Sequence, residues 1–98
     1  MPKFRASSGN VFRDLGFSPE EAANLKLRAD LMIELGRRID ARGLTQKQAA
    51  KLLGVSQPRV SDLVRGKINL FSIDMLISML SRVGVQVRLA LHPNTRVA

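Results

Sequence analysis

Hydrophobic positions in residues 18–83 recur at helical spacing, and the polar residues and glycines between them cut the chain into four segments. The longest opens at Ser18-Pro19-Glu20-Glu21. Ser18 is a capping residue, Pro19 needs no N–H at the first helical position, and Glu21 has the spacing of a capping box. Apolar residues follow at Leu25, Ala29, Met32 and Ile39, with a second row at Leu27, Leu31 and Leu35, until Gly43 supplies a stop signal. The pattern predicts a helix of roughly 24 residues, about 36 Å long. Its two apolar rows suggest contact both with the chain's own core and with something else.

Three shorter helices are predicted next. Thr45 and Gln48 form another capping box ahead of a helix that Gly54 ends. Ser56 caps the following one, which carries Val60, Leu63 and Val64 on one face and stops at Gly66. Ser72 caps the last, with Leu76, Ile77, Met79, Leu80 and Val83 buried before Gly84. The period then changes. Over residues 85–91, Val85, Val87, Leu89 and Leu91 alternate with Gln86, Arg88 and Ala90, the pattern of a β-strand. A lone strand leaves a row of N–H and C=O groups unpaired. The expectation is therefore that the same strand of a second copy pairs with it across a two-fold axis, making a homodimer through Val85, Val87, Leu89 and Leu91. The alternative is a tail lying against its own helices. The predicted fold is mostly α: a helical bundle with a long N-terminal helix and one C-terminal β-strand that pairs in a homodimer. The predicted organisation is a partly flexible leader over 1–17, the helical domain over 18–84, the strand over 85–91 and a tail over 92–98.

The leader raises its own question. Phe4, Phe12 and Phe17 are three of the chain's four aromatic residues, yet they lie in its least helical stretch. Phe12, Leu15 and Phe17 would each gain roughly 1.5–3 kcal/mol on burial. They either fold onto the long helix or form, with Leu27 and Leu31, a surface for another protein.

Composition sharpens the picture. Ninety-eight residues make one domain with a modest core, and a 45% hydrophobic fraction suits a globular chain. Cysteine is absent, which fits a reducing cytosol, and there is no apolar run of membrane-spanning length or secretory type. A cytoplasmic protein is expected. Net charge is +8, and it is localised. Residues 1–36 hold five Lys/Arg and five Asp/Glu, whereas residues 37–68 hold eight Lys/Arg against two Asp, a sum of +6. Such a field collects polyanions, although a solvated basic face kept for solubility has the same charge.

The basic third contains QKQAAKLLGVSQPRVSDLVR, residues 46–65. Ala50 stands where two helices approach most closely, Gly54 stands at a turn that favours a left-handed backbone, and Leu53, Val55, Val60 and Leu63 fall inward. Gln57, Pro58, Ser61 and Asp62 are left on the outer face of the second helix, flanked by Arg59 and Arg65. These placements together predict a helix-turn-helix.

Thr45, Gln46, Ala50, Leu53, Gly54, Val55, Ser56, Gln57, Val60, Ser61, Arg65 and Gly66 resemble the lambda-repressor/Cro-like (XRE) helix-turn-helix family, whose signature includes TQ…A…LGVSQ…VS…RG. Over almost the whole chain, SGNVFRDLGF, NLKLRADLM and GKINLFSIDMLISML are similar to the HigA-type antitoxins of bacterial toxin–antitoxin operons. The resemblance implies a lambda-repressor-like bundle and double-stranded operator DNA as a partner. It also implies roles for individual residues. Gln46 and Ser56 would hold phosphates, the latter beside a helix N-terminus. Gln57 and Ser61 would read bases. Arg59, Arg65 and Lys67 would grip the backbone, with Arg59 also able to reach a guanine. Pro58 departs from the usual base-reading chemistry and offers only apolar contact, for instance to a thymine methyl. Asp62 would accept from a cytosine N4 or orient Arg59, or else pair at the surface with Arg59 or Arg65. A dimer contacting some 6–10 phosphates would show a log–log salt slope of roughly −5 to −9. The antitoxin resemblance implies a second partner, a small basic toxin of the RelE/HigB-like ribonuclease fold, meeting Phe12, Leu15, Phe17, Leu27 and Leu31. A stand-alone repressor whose leader merely completes its own fold is the alternative. No catalytic constellation, metal-ligand spacing or Gly-rich phosphate loop is present in the sequence, so no enzyme, metal or cofactor is expected.

Overall fold

The computed structural model describes residues 10–93. In chain order these form α1 (Val11–Asp14), α2 (Pro19–Ala41), α3 (Gln46–Leu53), α4 (Gln57–Val64), a 3-10 turn (Ile68–Leu70) and α5 (Ile73–Arg82). Every α-helix begins on a side-chain cap: Asn10, Ser18, Thr45, Ser56 and Ser72 each accept a backbone N–H from the first turn. The Thr45/Gln48 box closes both ways, with Gln48 Oε1 accepting from the Thr45 N–H at 2.9 Å and Thr45 Oγ1 from the Gln48 N–H at 3.1 Å. At α2 the acid reaches back to the hydroxyl instead, Ser18 Oγ donating to Glu21 Oε1 at 3.2 Å. The expected flexibility of residues 1–9 and the fraying of residues 94–98 lie outside the described residues.

The helices enclose one core. Met32, Leu35 and Ile39 of α2 meet Ala49, Ala50 and Leu53 of α3, Val60 and Leu63 of α4, and Leu76, Met79 and Leu80 of α5. Phe71 and Val83 complete it. Phe71, to which the sequence pattern assigned nothing, is the largest of the fully buried side chains. The second apolar row of α2 does not form a separate surface. Leu35 is fully buried, Leu31 packs on the core, and Leu27 alone of the row is exposed. Val64 is 61% exposed, although helical spacing put it on the inner face. Val60 and Leu63 already fill the space available to a two-turn helix, leaving Val64 beside Ile33 and Gly36 at the edge of α2. Among the described residues no helix is long and apolar enough to cross a membrane.

The predicted C-terminal strand is not there. No strand forms among the described residues, and residues 85–93 carry no regular secondary structure. The two-fold strand pairing through Val85, Val87, Leu89 and Leu91 therefore has no basis in the fold. The reason is visible in the alternation itself. The Val85 N–H bonds back to the Leu80 carbonyl at 3.0 Å, continuing the turn that ends α5. Val85 and Val87 then pack against the core while Gln86 and Arg88 face outward. A period of two demands one buried face, and here the chain's own helices supply it without a neighbouring strand. Leu89 and Leu91, 71% and 89% exposed, take no part in that packing.

Candidate nucleic-acid interface

The linkage between α3 and α4 is short because Gly54 turns it. Its φ is +71°, a left-handed value that penalises a Cβ. A Cβ there would also lie 3.0 Å from the guanidinium carbon of Arg82. Arg82 reaches from the end of α5 to the Leu52 carbonyl at 3.5 Å, close to the last turn of α3. Ala50 is buried where the two helices meet, and Val60 and Leu63 hold the inner face of α4 against the core. This is the arrangement predicted for Ala50, Gly54, Leu53, Val60 and Leu63.

What remains outside is the opposite face of α4. Gln57, Pro58 and Arg65 are exposed, and Ser61 and Asp62 are half-buried beside them. Ser56 Oγ accepts the Arg59 N–H at 3.2 Å, so its hydroxyl hydrogen stays available at the helix start. Pro58 contributes no N–H, which leaves the Gln57 N–H as the donor of that first turn with no partner among the described residues. Gln46 stands exposed at the first position of α3, and Lys67 lies in the turn after α4. The predicted interface residues thus converge on α4 and its two flanks, with one exception in orientation. Arg59 does not project with the others: its guanidinium carbon stands 5.6 Å from the centroid of the Phe71 ring, and Nη1 donates to the Leu70 carbonyl at 3.2 Å. Asp62 pairs with Lys67 at 3.8 Å, not with Arg59 or Arg65.

Engagement of the other cations redistributes the charge. Arg37 and Arg38 share Glu34 at 3.4 and 2.7 Å, and Arg42 donates to the Val83 carbonyl at 3.2 Å. Among the described residues, the side chains of Lys47, Lys51 and Arg65 make no hydrogen bond or ion pair. Lys47 and Lys51 were not singled out from the sequence. Their spacing of four, bracketing the buried Ala49 and Ala50, is the signal that places both on the exposed side of α3.

Residues 10–17 of the leader are docked. Asn10 caps α1 and donates from Nδ2 to the Ala22 carbonyl of α2 at 3.2 Å, and Ala22 is fully buried beneath it. Phe12 and Phe17 meet edge to face, ring centroids 6.1 Å apart. The two rings meet within the leader itself, and Val11, Leu15 and Phe17 stay exposed at 42%, 69% and 43%. Phe17 borders an open groove of about 390 Å³ with Glu20, Glu21, Asn24, Leu25 and Arg28. Of the five residues expected on a protein-binding face, Phe12 and Phe17 come together, Leu15 and Leu27 stay exposed, and Leu31 is drawn toward the core.

Residues 11–92 match a family model described as a helix-turn-helix domain. Among relatives, an uncharacterized HTH-type transcriptional regulator of Haemophilus influenzae is 32% identical over 78 residues, covering 80% of this chain and 79% of that protein.

Proposed function

This chain belongs to the helix-turn-helix domain family, and from that premise we propose that it is a transcriptional regulator that lays α4 in the major groove of operator DNA. The observation that carries this reading is the outward face of α4, polar and uncovered by the described chain, bordered by Lys47, Lys51 and Arg65, whose side chains have no partner among the described residues. On that face Gln57 has the donor and acceptor to read adenine N6 and N7, and Ser61 pairs with any of several bases. Pro58 offers apolar surface to a thymine methyl. Asp62 accepts from a cytosine N4 once Lys67 turns to a phosphate. Gln46, Ser56, Arg65 and Lys67 hold the backbone, and Lys47 and Lys51 extend that grip along α3. One unit makes few contacts, so the operator holds two copies on half-sites about 34 Å apart. The assay is a gel shift on DNA selected from a random pool by the wild-type protein, set against scrambled DNA. Equal affinity for both would refute sequence-specific recognition.

A finer reading makes the protein an antitoxin that represses its own operon from the cytoplasm and neutralises a RelE/HigB-like ribonuclease. It is supported by the resemblance of the leader and α2 to HigA-type antitoxins and by the apolar side chains that docking of α1 leaves exposed. A stand-alone repressor fits the same helix-turn-helix equally. Co-expression with the product of an adjacent reading frame separates them: the antitoxin rescues growth, and Phe17→Ser weakens rescue without loosening operator binding. Growth arrest unrelieved by the wild-type protein would leave the stand-alone repressor.

A further inference from the structure

We propose that Arg59 is a positioning residue, one that sets the recognition helix through Phe71 instead of contacting DNA itself. The proposal rests on the reading of α4 as the DNA-binding element. Arg59 occupies the third position of α4, where the helix dipole disfavours a cation. Its charge is accommodated because the guanidinium lies over the Phe71 ring and donates to the Leu70 carbonyl. Phe71 is in turn buried among residues of the common core, 1% exposed.

The segment that carries Phe71 is gripped from its other side as well. Arg28 of α2, steadied by Asn24 at 2.8 Å, donates through Nη1 to the Ile68 carbonyl at 3.2 Å and the Phe71 carbonyl at 3.3 Å. Two arginines from two helices therefore satisfy three carbonyls of one short connection. The connection begins where α4 ends, with the Gly66 and Lys67 N–H groups bonded to Leu63 and Asp62 carbonyls. Arg59 and the end of α4 are thus both tied to residues 66–71, so the helix is held at its first and last turns by the same segment. A planar, forked cation is needed for this task, since it must lie on a ring and donate in its own plane at once. Lysine keeps the charge without the fork.

That difference supplies the test. Arg59→Lys, Arg59→Gln and Arg28→Gln are compared with wild type and with Lys51→Gln on DNA selected by the wild-type protein, across a salt series. A positioning role predicts that Arg59→Lys and Arg59→Gln weaken binding alike, by about tenfold, with the salt slope unchanged. Arg28→Gln, remote from α4, does the same. Lys51→Gln instead makes the slope shallower by about 0.9 per bound copy. A phosphate contact would show as rescue by lysine and a shallower slope in Arg59→Gln. A base contact would show as relaxed preference at a single base pair. Either result overturns the proposal. Amide hydrogen exchange in the free protein gives a second readout, independent of DNA: exchange in α4 rises in Arg59→Lys and Arg59→Gln while the remaining helices stay protected. Unaltered exchange in α4 refutes the role even if the protein binds no operator. Absence of selective binding by wild type itself refutes the DNA reading instead.

Discussion

Gly54→Ala tests whether the turn of the helix-turn-helix is fixed by backbone conformation alone or also by the arginine lying against it. Gly43 provides the internal standard. It has nearly the same left-handed φ, +64° against +71°, but nothing within 4 Å of where its Cβ would stand. Placing alanine in that region costs about 1–2 kcal/mol, partly offset by roughly 0.4–1 kcal/mol from the reduced freedom of the unfolded chain. Gly43→Ala should therefore lose between about 0 and 1.6 kcal/mol. Gly54→Ala carries the same conformational cost and must also displace the Arg82 guanidinium, 3.0 Å from the new Cβ. The arginine end is flexible, so the clash is relieved by movement, at the expense of its donation to the Leu52 carbonyl. That loss adds about 0.5–1.5 kcal/mol. For a domain of this size the extra destabilisation lowers Tm by roughly 2–12 °C beyond Gly43→Ala.

The assay is thermal unfolding followed by circular dichroism, at one protein concentration, for both alanine variants in wild-type and Arg82→Ala backgrounds. Removing Arg82 should abolish the difference between the two glycine substitutions, because only Gly54 shares contact with it. Equal melting losses in the wild-type background would show that Arg82 gives way freely. A difference that persists without Arg82 would place the strain elsewhere in the turn. Either outcome would refute the argument that the arginine and the glycine fix the turn together.

Phe71→Ala should cost about 3–5 kcal/mol, as expected of a fully buried aromatic side chain, and a denaturant midpoint shift worth under 1 kcal/mol would show that Phe71 does not anchor the core. Gln57→Ala should relax preference at one base pair, worth about 1–3 kcal/mol of discrimination, and an equal loss on all sequences would reassign Gln57 to the backbone. Val87→Asp should leave the association state unchanged in sedimentation velocity while destabilising the chain by about 1–2 kcal/mol, since Val87 packs on its own core. A change in association state without loss of stability would contradict that packing.

The parts of this fold readable in advance were those governed by local chemistry. Ser18, Thr45, Ser56 and Ser72 start helices because each side chain satisfies an N–H within its own first turn, a requirement that needs no tertiary information. Ala50 and Gly54 were legible for a similar reason, since close approach and positive φ leave few alternatives. The readings that failed depend on what lies opposite. Alternation in residues 85–91 specifies a buried side and is silent about whether a strand or a helical surface does the burying. Val64 obeys the helical period of Val60 and Leu63 but falls where α2 ends its cover. Arg59 illustrates the limit most sharply: its position flanking Gln57 and Ser61 gives no hint of Phe71, twelve residues on, whose ring it covers. Long side chains are the least legible part of a site, because several partners lie within reach and only the packed chain selects among them.

This limit bears on how net charge is converted into DNA affinity. The segment 37–68 has eight Lys/Arg, and counting all of them as phosphate ligands would assign every one to the polyanion. Five have partners within the protein: Arg37 and Arg38 with Glu34, Arg42 with the Val83 carbonyl, Arg59 with Leu70 and Phe71, and Lys67 with Asp62. Lys47, Lys51 and Arg65 have no side-chain partner among the described residues. Two copies on a symmetric operator would then bring six cations to phosphates without breaking an internal contact, and at about 0.9 per phosphate the salt slope should lie near −5. Lys67, paired across 3.8 Å with a partly exposed carboxylate, is the next to be recruited, because so long a surface pair holds it weakly. Its recruitment in both copies would carry the slope toward about −7. A measured slope well beyond that would require either cations outside this segment, such as the exposed Arg88, or release of Arg37, Arg38, Arg42 or Arg59 from its partner. If Arg88→Gln left so steep a slope unchanged, that would count against the division of charge drawn from the free protein.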